Sequence, residues 1–326
     1  MSRRIRPIAL SALLIATALW ASAQETVRAP ATRAVRPDRQ ELRRQQAARA
    51  MPVPAGVQAH RDLEYAKAGE MPLRLDLYVP AKADGPLPLV VFVHGGGWRG
   101  GDKRNCRALP LTAHGYAAAS VNYRLSGEAA FPAQIYDCKA AIRWLRANAV
   151  KYNLDPDRIG VWGTSAGGHL VALLGTSGDV KAAEGALGCN DQSSRVQAVC
   201  DWFGPTDLAD LGGRNLRGFP TNPVTLLLGG PASEKKNLAD LANPITHVSK
   251  DDPPFLIMHG DRDPLVPVSQ SQALHDALTR AGVSSTLKII EGAGHGFAGA
   301  PHDEMVRAFF DRHLKKKADQ ETPARK

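Results

Sequence analysis

Several absences narrow what this chain can be. Aromatic residues make up 6% and charged residues 22% of 326, and no internal repeat is visible. That profile excludes collagen, coiled coil and wholesale disorder. The four cysteines include no CxxC pair, so a structural zinc site is not expected. No apolar run reaches membrane-span length; the stretch nearest to it, Ile8–Trp20, has 13 residues. The net charge is +9, yet the excess of Arg and Lys sits in residues 1–60 and 312–326, and the body between them is slightly acidic. A basic surface for tracking phosphates belongs on the folded body, so nucleic acid is not an expected partner.

The ends read as processing and linker segments. Arg3, Arg4 and Arg6 precede the Ile8–Trp20 stretch, and Ala21-Ser22-Ala23 follows it. This is the pattern of a signal peptide covering 1–23, which places the mature chain in the periplasm or outside the cell, without stable membrane insertion after cleavage. Residues 24–58 are rich in Arg, Ala, Gln and Pro and lack aromatics. Such composition cannot offset the entropy of ordering, so a disordered linker is expected. Residues 315–326 read as a basic, flexible tail. In an oxidising compartment the cysteines are expected to pair as Cys106–Cys138 and Cys189–Cys200, each closing the shorter available loop.

Between 59 and 314 the periodicity alternates. Leu73, Leu75, Leu77 and Val79 mark a half-buried strand, and Leu89–Val93 is a continuous apolar run of the kind a fully buried parallel strand shows. Further strands are predicted over 116–123, 158–162, 196–202, 254–258 and 285–290, with helices over 133–151, 166–174, 269–280 and 303–314. This order predicts an α/β fold with a mostly parallel central sheet and helices on both faces. Residues 205–253 break the rhythm and read equally as a lid or pocket wall and as a passive excursion.

Four segments carry chemistry. Gly163-Thr164-Ser165-Ala166-Gly167 fits G-x-S-x-G between a buried strand and a helix, the setting that lifts a serine hydroxyl above a sheet edge. A neutral serine needs a base, and His295, on a glycine-rich loop after the last strand, is the candidate. His94, His169 and His259 read as a loop-shaping, a packing and a buried residue. The base needs a carboxylate to hold its tautomer. Asp263 is favoured because it stands further into its loop, and Asp261 is the alternative, otherwise a turn residue bonding its own backbone. The run His94-Gly95-Gly96-Gly97-Trp98 lets backbone amides approach a substrate oxygen and, with the amide of Ala166, form an oxyanion hole.

The order glycine loop, Ser, Asp, His, with the motifs HGGGW, GTSAGG, HGDRDPLVP and GAGHGF, resembles the α/β-hydrolases. The resemblance lies with the esterase/lipase branch related to hormone-sensitive lipase, and more narrowly with secreted bacterial acetyl-xylan and feruloyl esterase-like carboxylesterases. It implies Ser165 as nucleophile, Asp263 as orienting acid, His295 as base, Gly96, Gly97 and Ala166 as oxyanion donors, and Trp98 in substrate binding. The implied substrate is a small-molecule or polysaccharide-linked ester, with no cofactor and no metal. A peptidase of the same fold and a binding module on an inactive hydrolase scaffold are the rivals. The first would carry the same triad; the second requires a missing triad member.

The N-terminal pattern has a direct check. Mass spectrometry of the exported protein is expected to find Gln24 as its first residue; a peptide beginning at Met1 or Ser2 would reject the cleavage site.

Overall fold

The computed structural model describes residues 51–214 and 220–315. The expected signal peptide, linker residues 24–50 and tail residues 316–326 lie outside them. Eight strands form one sheet: β1 (Val57–Ala68), β2 (Met71–Pro80), β3 (Leu87–Val93), β4 (Ala117–Val121), β5 (Leu154–Thr164), β6 (Ala198–Trp202), β7 (Phe255–Gly260) and β8 (Ser285–Ile290). Their spatial order is β1-β2-β4-β3-β5-β6-β7-β8. The pairs β1–β2 and β2–β4 are antiparallel, and the rest of the sheet is parallel.

The all-apolar character of β3 has a simple cause. Leu89, Val91 and Val93 point into one hydrophobic cluster, while Val90 and Phe92 point into the other. The first cluster is covered by α1 (Ala133–Ala147), α2 (Ala166–Thr176) and α7 (Val268–Arg280). The second lies under α8 (Ala300–Leu314) and the 3-10 turn Leu109–His114. A strand buried on both faces has no solvent side on which polar residues could alternate. Each fully buried Leu or Phe in these layers contributes roughly 1.5–3 kcal/mol.

The structure departs from expectation in four places. The antiparallel hairpin β1–β2 adds an edge strand that begins at Val57, inside the expected linker. Met51, Val53 and Val57 pack against the second cluster, so this end of the segment has apolar burial to offset its ordering. The helix expected over 133–151 stops at Ala147, and a 3-10 turn (Val150–Tyr152) takes its place. The described residues of 205–253 are neither strand nor plain loop: α4 (Leu208–Gly212), α5 (Pro223–Leu228) and α6 (Lys236–Ala242) lie there, and Leu208, Leu211, Val224 and Leu227 are buried in the first cluster.

The fourth departure concerns the cysteines, all of which are free thiols. Cys106 and Cys200 belong to the second cluster, whereas Cys138 sits on α1 in the first. The sheet therefore separates Cys106 from Cys138. Cys189 follows α3 (Lys181–Glu184) in a loop whose Gly188 lies close to Ala140 of α1, again across the sheet from Cys200. A disulfide requires Cα atoms within about 7 Å, which an intervening sheet forbids.

Burial pushes the Cys106 thiol up to about 12 and those of Cys138 and Cys200 well above the ordinary value. Iodoacetamide is therefore expected to label only Cys189, half-buried in its loop, in the native protein, because thiolate and access are both needed. In denaturant without reductant all four should label; two or fewer labels would establish a bridge.

Candidate active site

The turn from β5 into α2 sets the geometry. A Cβ on Gly163 would lie 2.1 Å from the carbonyl oxygen of Gly167, and one on Gly167 would lie 2.0 Å from that of Val93. Only glycine allows the chain to reverse this closely against the end of β3. Ser165, between them, is held at φ 55° and ψ −122°. Strain of this kind costs of order 1–3 kcal/mol and persists where the surroundings over-determine it. Here the Ser165 amide donates to Trp202 O at 2.9 Å, and its carbonyl accepts from the His169 amide at 3.0 Å.

Ser165 Oγ lies 2.8 Å from His295 Nε2, and His295 Nδ1 lies 2.7 Å from Asp263 Oδ2. The carboxylate can only accept, so Nδ1 carries its proton and Nε2 is left to accept the serine hydroxyl. Burial works against charge on Asp263, but hydrogen bonds from His259, His295 and the Val266 amide outweigh it and hold the carboxyl well below the usual range. Such a chain can take a proton from Ser165 and stabilise the resulting imidazolium. Phe203 stands edge-on to the His295 ring at 4.8 Å.

The remaining singled-out residues fall around this chain. Gly96, Gly97, Trp98 and Ala166 line the same cavity as Ser165 and His295, whose volume is about 390 Å³. As the first residue of α2, Ala166 has an amide that no intrahelical carbonyl takes up. The glycine loop is pinned from behind. His94 Nδ1 donates to Gly95 O at 2.8 Å, the His94 ring stacks on Tyr123, and Tyr123 Oη donates to His94 O at 3.0 Å. His94 thus shapes the loop. Trp98 is buried and meets His169 edge-on at 5.3 Å. Pro205 and, on α4 and α5, Leu211 and Pro223 also line the cavity, so these described parts of 205–253 contribute to its wall.

The structure separates the two loop carboxylates. Asp261 does not bond its own turn, as expected of the alternative; its Oδ1 accepts from the Gly292 amide at 2.7 Å and ties down the loop leading to His295. Asp207 accepts from the Ala209 and Asp210 amides as the N-cap of α4. His169 does not bond within its own helix: Nε2 lies 2.7 Å from Ala242 O in α6, and burial pulls its pKa to about 4. Sequence reasoning missed the contact of His259 with Asp263, 3.2 Å from Nε2 to Oδ2. The signal was there in the four-residue spacing of HGDRD, at a strand end where the chain turns back. Among the described residues no group of three His, Cys, Asp or Glu side chains could hold a metal ion, and no helix is long and apolar enough to cross a membrane.

An eight-stranded, mostly parallel sheet with a strained serine between β5 and α2, and an Asp and a His after β7 and β8, defines an α/β-hydrolase. The chain belongs to the BD-FAE family, whose model matches residues 75–278, and the dienelactone hydrolase family model matches 235–322. It is 33% identical to the esterase LipQ of Mycobacterium tuberculosis over 72% of this chain and 56% of that protein. The chain spans about half the length of the curated relatives it matches. Among solved structures it resembles a truncated carbohydrate esterase from gut microbiota (35% identity, TM-score 0.72, covering 78% of this chain and 95% of that one). An acetyl ester-xyloside bifunctional hydrolase from Caldicellulosiruptor lactoaceticus is also similar (29%, TM-score 0.61, 74% and 86%).

Behind the serine turn, Asp201 of β6 is fully buried, with Oδ1 accepting from the Gly204 amide at 2.9 Å and Oδ2 unpartnered. Burial pushes its pKa up to about 6, against a smaller pull from the Gly204 amide. A folded value above the unfolded one means that the folded protein binds this proton more tightly. Stability should therefore fall as pH rises from about 4 to 6, and the cost is fully present above that window. Asp201→Asn is expected to stabilise the protein at pH 8 by up to ~3 kcal/mol and to be neutral near pH 4. Chemical denaturation at the two pH values checks this; equal effects at both would assign the change to packing.

Proposed function

We propose that the protein is a serine carboxylesterase, exported to the periplasm or beyond, that acts through an acyl-enzyme on Ser165. The observation that carries this is the continuous chain Ser165–His295–Asp263 opening into an apolar cavity beside a glycine loop and a helix N-terminus. Ser165 attacks the ester carbonyl while His295 Nε2 takes its proton. The negative oxygen is met by the amides of Gly96, Gly97 and Ala166, each donor contributing about 3 kcal/mol, and the N-terminal end of α2 adds a favourable field. His295 then protonates the leaving alkoxide, and water activated by the same ring releases the acid. The chain itself supplies nucleophile, base and oxyanion donors, so no cofactor or metal enters the scheme.

The acyl side of the substrate follows from the walls. Phe203, Leu211, Pro223, Leu265 and Val266 are apolar, and among the described residues no Asp, Glu, Lys or Arg side chain lines the cavity. Its volume leaves an acetyl group surrounded by much unfilled space and takes a butyryl or a feruloyl-type aryl group with more burial. The alcohol side is proposed to be a carbohydrate, in keeping with the carbohydrate esterase and the acetyl ester-xyloside hydrolase that the chain resembles.

Ser165→Ala is expected to abolish ester turnover with little change in thermal midpoint, and Asp263→Asn to lower kcat by orders of magnitude. Two further buried methylenes at ~0.8 kcal/mol each predict kcat/KM for p-nitrophenyl butyrate about tenfold above that for the acetate. Turnover surviving in the Ser165 variant would sink the mechanism; acetate as the best substrate would sink the assignment of the cavity.

A further inference from the structure

His259, the penultimate residue of β7, is fully buried and does not itself line the cavity, although it bonds Val266, which does. Both of its ring nitrogens are nevertheless engaged. Nε2 lies 2.9 Å from Val266 O and 3.2 Å from Asp263 Oδ2, and Nδ1 lies 2.7 Å from Ser271 Oγ. A carbonyl and a carboxylate both accept, so Nε2 must carry a proton shared between them. Nδ1 then accepts from the Ser271 hydroxyl, itself fully buried on α7, which holds the ring from its other side.

The partner of that shared proton is already heavily used. Asp263 Oδ1 accepts from the amides of Leu265 at 2.8 Å and Val266 at 2.9 Å, and Oδ2 accepts from His295 Nδ1 at 2.7 Å. Two amides on one oxygen set the height of the carboxylate in its turn but leave rotation about the side chain to be resisted from Oδ2. His259 sits on that oxygen opposite His295, and through Val266 O it also clasps the turn that supplies the two amides.

We infer that His259, with its ring held by Ser271, is a positioning residue that locks the Asp263 carboxylate in the orientation His295 requires. This rests on the proposed role of the Ser165–His295–Asp263 chain. Neither His259 nor Ser271 lines the cavity, so the dyad acts first on the chemical step. Displacing a reacting group's partner by a fraction of an ångström to 1 Å can cost up to about 100-fold in rate.

The experiment is a double-mutant cycle on the full chain with p-nitrophenyl butyrate. His259→Leu is expected to lower kcat about 10- to 100-fold with KM within about threefold, in line with a lost alignment. His259→Gln, whose amide nitrogen takes the place of Nε2, is expected to recover most of kcat. Ser271→Ala is expected to lower kcat severalfold alone and to have no effect in the His259→Leu background, because it acts only through the ring. In parallel, the low-field proton resonance of the His295–Asp263 hydrogen bond, identified by its loss in Asp263→Asn, is expected to move in His259→Leu and Ser271→Ala and to return in His259→Gln. Unchanged kcat in Ser271→Ala and in His259→Leu, or additive effects in the double variant, overturns the inference. If His259→Leu does not fold, Ser271→Ala decides: wild-type kcat and an unshifted resonance overturn it. A wild-type protein without esterase turnover would sink the proposed function instead, and the resonance would still test the positioning.

Discussion

Backbone crowding where β5 turns into α2 is the constraint on which the rest of the site depends. Gly163 and Gly167 bring the ends of β3 and β5 and the first turn of α2 to within side-chain distance, and no residue with a Cβ fits at either place. That contact locks Ser165 in a conformation L-residues avoid, and it abuts Val93, the last residue before the glycine loop. Ser165 and the glycine loop are therefore placed relative to each other by packing between neighbouring parallel strands, before His295 or Asp263 is considered. The strain at Ser165 is tolerable because β3, β5 and β6 are buried on both faces and cannot shift to relieve it.

A second requirement is the buried charge of Asp263. A carboxylate at 0% exposure is costly unless its lone pairs are met, and here two amides and two imidazoles meet them. The aromatic surroundings act in the same direction. Trp202, Phe203 and Phe297 pack around the His295 loop, and Arg107 lies over the Trp202 ring at 4.6 Å. Fewer water molecules near the histidine mean that its two hydrogen bonds are stronger than they would be in the open.

Much of this was legible in the chain because each element has a local cause. Strand β3 is an unbroken apolar run, α2 follows a glycine-bounded serine, and His295 stands between glycines after a strand; in each case neighbours in sequence are neighbours in structure. The strand β1 was not legible, since Gln58, Arg61, Asp62 and Glu64 are solvent-facing residues on an edge and give it a polar look. The disulfide expectation failed for a related reason: spacing along the chain carries no information about which side of a sheet a residue faces once helices intervene.

By itself, then, the sequence determined the α/β order, the serine turn, the glycine loop and the histidine, because these depend on residue type within a few positions. Tertiary structure alone decided between Asp261 and Asp263, which differ by two residues on one loop and part company only when the loop after β8 comes alongside. Asp261 meets the Gly292 amide and Asp263 meets His295. It also turned His259 from a buried strand end into a partner of Asp263, and brought Pro205, Leu211 and Pro223 to the cavity. Hydrogen bonds between residues 32 or 130 positions apart are set by the stacking of parallel strands, and a linear pattern records the strands without recording the distances between their ends.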